Sequence, residues 1–128
     1  MPNNEPNNVT KLVYTNRNIT KIGNNSFENF YSLESIRLFA GLKEIGNYSF
    51  KNCSKLTGII IPDTVKKIGK GAFLNCTNLL SIKIPKTIKK INKIAFKNCP
   101  KLTIYCEKNS FADKYAHKYG IKVQYMPL

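Results

Sequence analysis

The sequence contains no tryptophan, one histidine, two arginines and only seven acidic residues. Each shortage narrows what the chain can do. Seven scattered carboxylates offer no close pair for general acid–base work. The one histidine, His117, has no second histidine at ligand spacing, and the cysteines form no C-x-x-C pair, so no metal site is expected. No glycine-rich phosphate loop occurs. No run of about 18 apolar residues could cross a membrane as a helix; the apolar clusters are as short as Ile59-Ile60-Ile61. Residues 2–8 are polar and lack the apolar core of a secretory leader. The chain is therefore expected either to stay inside the cell or to begin after a removed leader. No catalytic residue and no cofactor is expected.

What is abundant is lysine. The formal net charge is +14, and 19 of the 21 basic residues are Lys. The charge is uneven: residues 49–128 hold 16 basic residues against Asp63, Glu107 and Asp113. Such a surplus points toward anionic partners. Asparagine is equally enriched, however, and Lys with Asn together are what an AT-rich coding sequence produces without selection for binding. The scarcity of Arg argues against nucleic acid, whose phosphates and base edges favour guanidinium forks.

The organisation of the chain lies in an internal period of 23 residues. Leu33, Leu56, Leu79 and Leu102 keep it, as do Phe27, Phe50, Phe73 and Phe96. So do Ile22, Ile45, Ile68 and Ile91, and Cys53, Cys76 and Cys99, each cysteine preceded by Asn. Val13, Ile36, Ile59 and Ile82 are placed in one further column, and Ile19, Leu42, Val65 and Ile88 in another. In the unit from Leu56 to Asn78, the run Ile59–Ile61 reads as a short strand and Pro62 ends it, having no N–H for a ladder. Val65 and Ile68 mark a second extended piece. Gly69 is read as permitting a turn, and Ala72-Phe73 as a compact turn or short helix that buries the ring. One such unit cannot bury its apolar face, but stacked units build a continuous core. Phe73→Ala is expected to cost roughly 3–5 kcal/mol.

The pattern I-P-x-x-V/I-x-x-I at 61–68 and 84–91, with A-F-x-N-C at 72–76 and 95–99, resembles the BspA-type leucine-rich repeat family. The resemblance runs from about Val9 to the chain end. The first unit departs from it, with Thr15 where later units have Leu38, Ile61 and Ile84, and Phe30 in place of Cys. The second has Phe39 in place of Pro. The fold class expected is a repeat solenoid: a leucine-rich repeat, an α/β-type right-handed coil of short strands and turns, with a C-terminal helix–strand cap. Residues 1–8 are expected to form a disordered tail and residues 9–128 a single domain. Its units would be about 10–32, 33–55, 56–78 and 79–101, followed by a cap at 102–128. In that cap residues 109–120 read as a helix, with Asn109 or Ser110 as its N-cap, Gly120 as its stop, and Phe111, Tyr115 and Tyr119 on one face. Residues 121–125 alternate like an edge strand, and the chain is expected to end naturally near Leu128.

Few residues offer chemistry. Cys53, Cys76 and Cys99 form a straight column, which suits small buried thiols better than a converging zinc site; a disulfide between rungs and a metal are the alternatives. Cys106 lies outside the column and is the better candidate for a reactive thiol. His117 is expected on the solvated side of the cap helix. Matches to Asn-x-Ser/Thr, such as Asn52-Cys53-Ser54 and Asn75-Cys76-Thr77, read as by-products of the repeat. The candidate surface for an anionic partner is built of lysine columns: Lys43, Lys66 and Lys89; Lys67 and Lys90 with Lys21, interrupted by Glu44; Lys70 and Lys93; and Lys83 and Lys86 on the last coil.

The family resemblance implies a non-catalytic binding or adhesion module at the cell surface or secreted, with a protein or glycan partner. An intracellular scaffold, or a polyanion binder using the lysines, are the alternatives. Nucleic acid is disfavoured further because no aromatic residues interleave the lysines.

Overall fold

The computed structural model describes residues 8–13 and 18–127. In chain order the elements are β1 (Lys11–Val13), β2 (Lys21–Ile22), β3 (Ser35–Arg37), β4 (Glu44–Ile45), β5 (Gly58–Ile60), β6 (Lys67–Ile68), β7 (Ser81–Lys83), β8 (Lys90–Ile91), β9 (Thr103–Cys106), α1 (Phe111–Lys118) and β10 (Lys122–Tyr125). Every strand pairing is parallel. One sheet runs β1-β3-β5-β7-β9-β10, and a second runs β2-β4-β6-β8. Each coil thus lays one strand on each sheet, and the two sheets enclose the core of the solenoid.

The 23-residue period is the register itself: Ile59 faces Ile82, and Ile45 faces Ile68, which faces Ile91. Pro62 follows the strand as expected, after the Ile61 N–H has donated to the Lys83 carbonyl at 2.9 Å. Both ends of the chain slip from this register. Leu12, not Val13, pairs with Ile36; Val13 pairs with Arg37 and is 62% exposed. The first coil spends ten residues from Leu12 to Ile22 where the second spends nine from Ile36 to Ile45, so the column shifts by one. A one-residue shift turns a strand side chain to the opposite face. Thr15, Arg17 and all but the last residue of the expected tail at 1–8 lie outside the described residues. At the far end Leu102 keeps its buried column, yet β9 starts one residue early, and Ile104 faces Ile82.

The rings of Phe27, Phe50, Phe73 and Phe96 stack at 5.2–5.3 Å between centroids with interplanar angles of 18° or less. Edge-on rings close the column at both ends: Phe30 meets Phe27 at 5.3 Å, and Tyr115 meets Phe96 at 6.1 Å. Phe30, which breaks the cysteine column in sequence, is therefore the terminator of the phenylalanine column. Phe27 beside it is only partly buried, as is Cys99 at the other end.

The segment around each Phe is a series of tight turns, not a helix. Ala72 N–H donates to Gly69 O and Cys76 N–H to Phe73 O, both three residues back. The turns need left-handed backbone at Asn29, Asn52, Asn75 and Asn98, with φ of 67°, 65°, 62° and 59°. Asn tolerates this conformation better than most residues. Gly69 is not left-handed; its need is space. A Cβ there would lie 2.5 Å from Asn47 Oδ1 of the preceding coil.

Helix α1 is capped by Ser110, whose Oγ accepts the Asp113 N–H at 3.3 Å, and ends before Gly120 at φ +68°. Its buried face is Ala112, Asp113, Tyr115 and Ala116; Phe111 and Tyr119 are each 40% exposed. The small alanines let the helix lie close on β9 and β10, which leaves Tyr115 as the one large ring inside. Tyr115 Oη donates to the Asn92 carbonyl at 2.8 Å and fixes the cap to the last coil.

Candidate functional site

The outer face of the six-stranded sheet carries a row of side chains, one on each of its first five strands: Val13, Arg37, Ile60, Lys83 and Tyr105. They point outward because the alternate residues, such as Ile59 and Ile82, are in the core. Ile60 is 66% exposed, and Val13 and Tyr105 are exposed with it. A broad groove runs across this row, with Pro62, Pro85 and Lys86 along one wall and Glu107 and Met126 toward its C-terminal end. Arg37, Lys83 and Lys86 oppose Asp63 and Glu107 along it, so its charge is mixed.

The predicted lysine surface does not form one patch. Lys83 and Lys86 belong to this groove. Lys67 and Lys90 lie on the four-stranded sheet, in register with Glu44 and Lys21. Lys43, Lys66 and Lys89 stand one residue before β4, β6 and β8, each N–H donating to a carbonyl of the coil before. Lys70 and Lys93 follow in the next turns. All nine are exposed except Lys67, which is half-buried. Glu44 takes up part of the charge, lying 3.4 Å from Lys21 Nζ and 3.9 Å from Lys67 Nζ. Exposed pairs of this kind contribute about 0–1 kcal/mol.

The cysteines are free thiols. Each column member donates its S–H to a phenylalanine carbonyl of the preceding coil: Cys53 to Phe27, Cys76 to Phe50 and Cys99 to Phe73, at 3.1–3.2 Å. Burial pushes the Cys53 thiol up to about 12 and the Cys99 thiol up to about 11, and raises Cys76 further still. Cys106, expected to be the reactive thiol, is fully buried, and desolvation raises its pKa as well. Nucleophilic thiols need the opposite shift and exposure. Leaving the 23-residue column did not bring Cys106 to the surface, because it ends an inward-alternating strand.

His117 is 67% exposed at its side chain, as expected, but it is paired: its Nδ1 lies 3.0 Å from Asp113 Oδ1. Asp113 was not predicted. It is nearly buried, accepts the Asn109 N–H at 2.7 Å, and receives the Tyr125 hydroxyl at 3.1 Å. These bonds tie the helix start to β10, so the cluster clasps the cap. Its only sequence signal is an acidic residue three after a Ser N-cap.

The second unpredicted feature is an asparagine ladder. Asn52 Nδ2 donates to Asn29 Oδ1 at 2.8 Å, Asn75 to Asn52 at 2.9 Å, and Asn98 to Asn75 at 3.0 Å. The Asn-x-Ser/Thr matches at Asn52 and Asn75 are thus members of this ladder, and their amide nitrogens are occupied.

This architecture defines a leucine-rich repeat protein. Residues 4–122 match the model of the BspA-type leucine-rich repeat region in six copies, and the chain belongs to that family. The match begins inside the segment expected to be a tail. Among solved structures, the chain is similar to a leucine-rich repeat protein from Bacteroides ovatus (28% identity, TM-score 0.77), which covers 92% of this chain. It is also similar to a leucine-rich cell surface protein from Faecalibacterium prausnitzii (29%, 0.71, 83% of this chain) and to a T. pallidum leucine-rich repeat protein (30%, 0.68, 74%). The chain spans only 30%, 27% and 44% of those three proteins. No curated protein matches it.

Proposed function

We propose that this chain is a protein-binding module of a surface or secreted protein, and that the partner lies across the outer face of the six-stranded sheet. The observation that carries this reading is the row Val13, Arg37, Ile60, Lys83, Tyr105. Exposed aliphatic and aromatic side chains in one line, flanked by charges of both signs, resemble the apolar centre and polar rim of a protein interface. A mixed-charge groove suits a protein better than a uniform polyanion. The family adds support, since one structural neighbour is described as a cell surface protein.

The lysines of the four-stranded side favour a second reading, a polyanion such as an acidic glycan, because Lys66, Lys70, Lys89, Lys90 and Lys93 are exposed there. The test is adhesion to a panel of immobilised matrix proteins and of heparin across a salt gradient. It compares the parent with Ile60→Glu/Tyr105→Ala and with Lys66→Glu/Lys89→Glu. Loss of protein adhesion in the first variant alone supports the sheet face. Loss in the second alone, with steep salt dependence, overturns it in favour of a polyanion. A glycan retained through the sheet face would replace the protein partner.

A further inference from the structure

In each of the first three coils the N–H groups of the turn Phe and of the Asn two residues on donate to the next coil, with further donors at Asn25 and Tyr48. Phe27 and Asn29 donate to Ser49 O and Lys51 O; Phe50 and Asn52 to Ala72 O and Leu74 O; Phe73 and Asn75 to Ala95 O and Lys97 O, all at 2.7–3.0 Å. The equivalent donors of the last coil are Phe96 and Asn98. Among the described residues neither N–H has an acceptor, because β9 leads directly to the cap and no further turn follows. The Asn98 carboxamide oxygen likewise ends the asparagine ladder with no amide donating to it.

These groups face a cleft between the last coil and α1. Its floor is Ile94, Leu102, Tyr119 and Ile121, and its rim carries Lys93, Lys97 and Lys122 with no acidic residue. Asn98 is exposed, so the open end of this ladder is accessible to an acceptor from outside the chain. The spacing of the donors, two residues apart along the chain, is that of an edge awaiting an extended segment.

We propose that this end of the turn ladder docks an extended acidic peptide segment of a partner protein, which takes the place of a further coil. Two of its carbonyls accept from Phe96 and Asn98, one apolar side chain enters the cleft, and its carboxylates meet the three lysines. The site is separate from the sheet face proposed above and does not depend on it.

The test is NMR titration of the whole chain with acetyl-Glu-Glu-Leu-Glu-Glu-amide and with its lysine counterpart. In the free protein the Phe96 and Asn98 amides should exchange fast while those of Phe73 and Asn75 are protected. On adding the acidic peptide, the Phe96 and Asn98 resonances should shift and their exchange should slow. Lys93→Glu/Lys97→Glu should weaken binding by about tenfold or more, while Lys66→Glu/Lys89→Glu, of equal net charge, should leave it within about twofold. No binding up to millimolar peptide overturns the proposal. So do equal binding of the lysine peptide, equal loss in both double variants, or shifts that spread over the lysines without touching Phe96 and Asn98.

Discussion

Replacing Asn75 should expose how much of the solenoid's stability lies outside its apolar core. Asn75 does two things at once: it holds φ at 62°, and its carboxamide both donates to Asn52 and accepts from Asn98. Asn75→Ala keeps the chain length and loses both. A left-handed alanine costs about 1–2 kcal/mol. Each lost bond costs about 0.5–1.5 kcal/mol, toward the lower end here because the site is only partly buried. The sum is about 2–4 kcal/mol, a large share of a small domain's stability. Urea unfolding should show it as a midpoint lowered by about 1–2 M. Two controls separate the parts. Asn75→Gly escapes the strain and should cost about 1 kcal/mol less than Asn75→Ala. Asn98→Ala has the same backbone strain, with φ 59°, but ends the ladder and loses one bond, so it should also cost about 1 kcal/mol less. If Asn75→Ala costs under about 0.5 kcal/mol, or if Asn98→Ala costs as much as Asn75→Ala, the reasoning from the ladder fails.

Ser49 occupies the place of Ala72 and Ala95, and its buried hydroxyl has no partner; Ser49→Ala should be neutral or stabilise by up to about 1 kcal/mol in the same urea assay, and a clear loss would mean that the hydroxyl is bonded. The column thiols ionise more readily unfolded than folded, so their contribution is complete below the ordinary thiol value of 9.0 and drains away as pH rises from there toward the folded value of about 12 for Cys53. Unfolding free energy should therefore fall above pH 9, and less steeply in Cys53→Ala/Cys76→Ala. At about pH 8 a thiol reagent should label the folded protein slowly, Cys99 first and Cys106 only on unfolding, and rapid labelling of Cys106 would contradict its burial. Gly69→Ala should destabilise by about 1–3 kcal/mol, because its Cβ would meet Asn47 Oδ1 at 2.5 Å and the backbone at Asn47 N and Gly46 C at 2.9 Å; Asn47→Ala should relieve only the side-chain part, and complete rescue would mean that the backbone contacts cost nothing.

The columns of Leu, Ile and Phe were legible because apolar residues recurring at a fixed period have little cause besides a stacked core. The slips at the two ends were not, for a local reason. Leu12 and Val13 are adjacent and both apolar, so either satisfies the pattern, and only the length of the following turn decides which one faces in. The cap helix was legible in extent but not in orientation. Three aromatic rings at four-residue spacing looked like its buried face, whereas the close fit on β9 and β10 favours Ala112 and Ala116. The candidate lysines were found as residues but not as a surface, since adjacency in a coil does not say which sheet a side chain leaves from. Lys83 and Lys86 sit in the groove of one sheet while Lys67 and Lys90 stand on the other.

Asparagine and lysine are enriched together, and coding bias alone would produce both. The structure divides them. Asn29, Asn52, Asn75 and Asn98 stand where the backbone is left-handed and where carboxamides bond from coil to coil. Asn24 and Asn47 accept N–H groups of the next coil, from Asn47 and Lys70, and glycines at 46 and 69 make room for them. Where Lys70 breaks that series, the glycine that would be needed one coil later is absent, and Asn92 stands there, bonding to the Ile94 N–H. Residues that change together in step with a contact answer to that contact. Bias in the coding sequence cannot account for such positions, whereas the exposed lysines, apart from those around Glu44 and Glu28, the Lys101–Asn78 contact and Lys118 over the Tyr119 ring, meet no comparable demand. A functional reading of the lysines therefore has to come from binding, and that of the asparagines from folding.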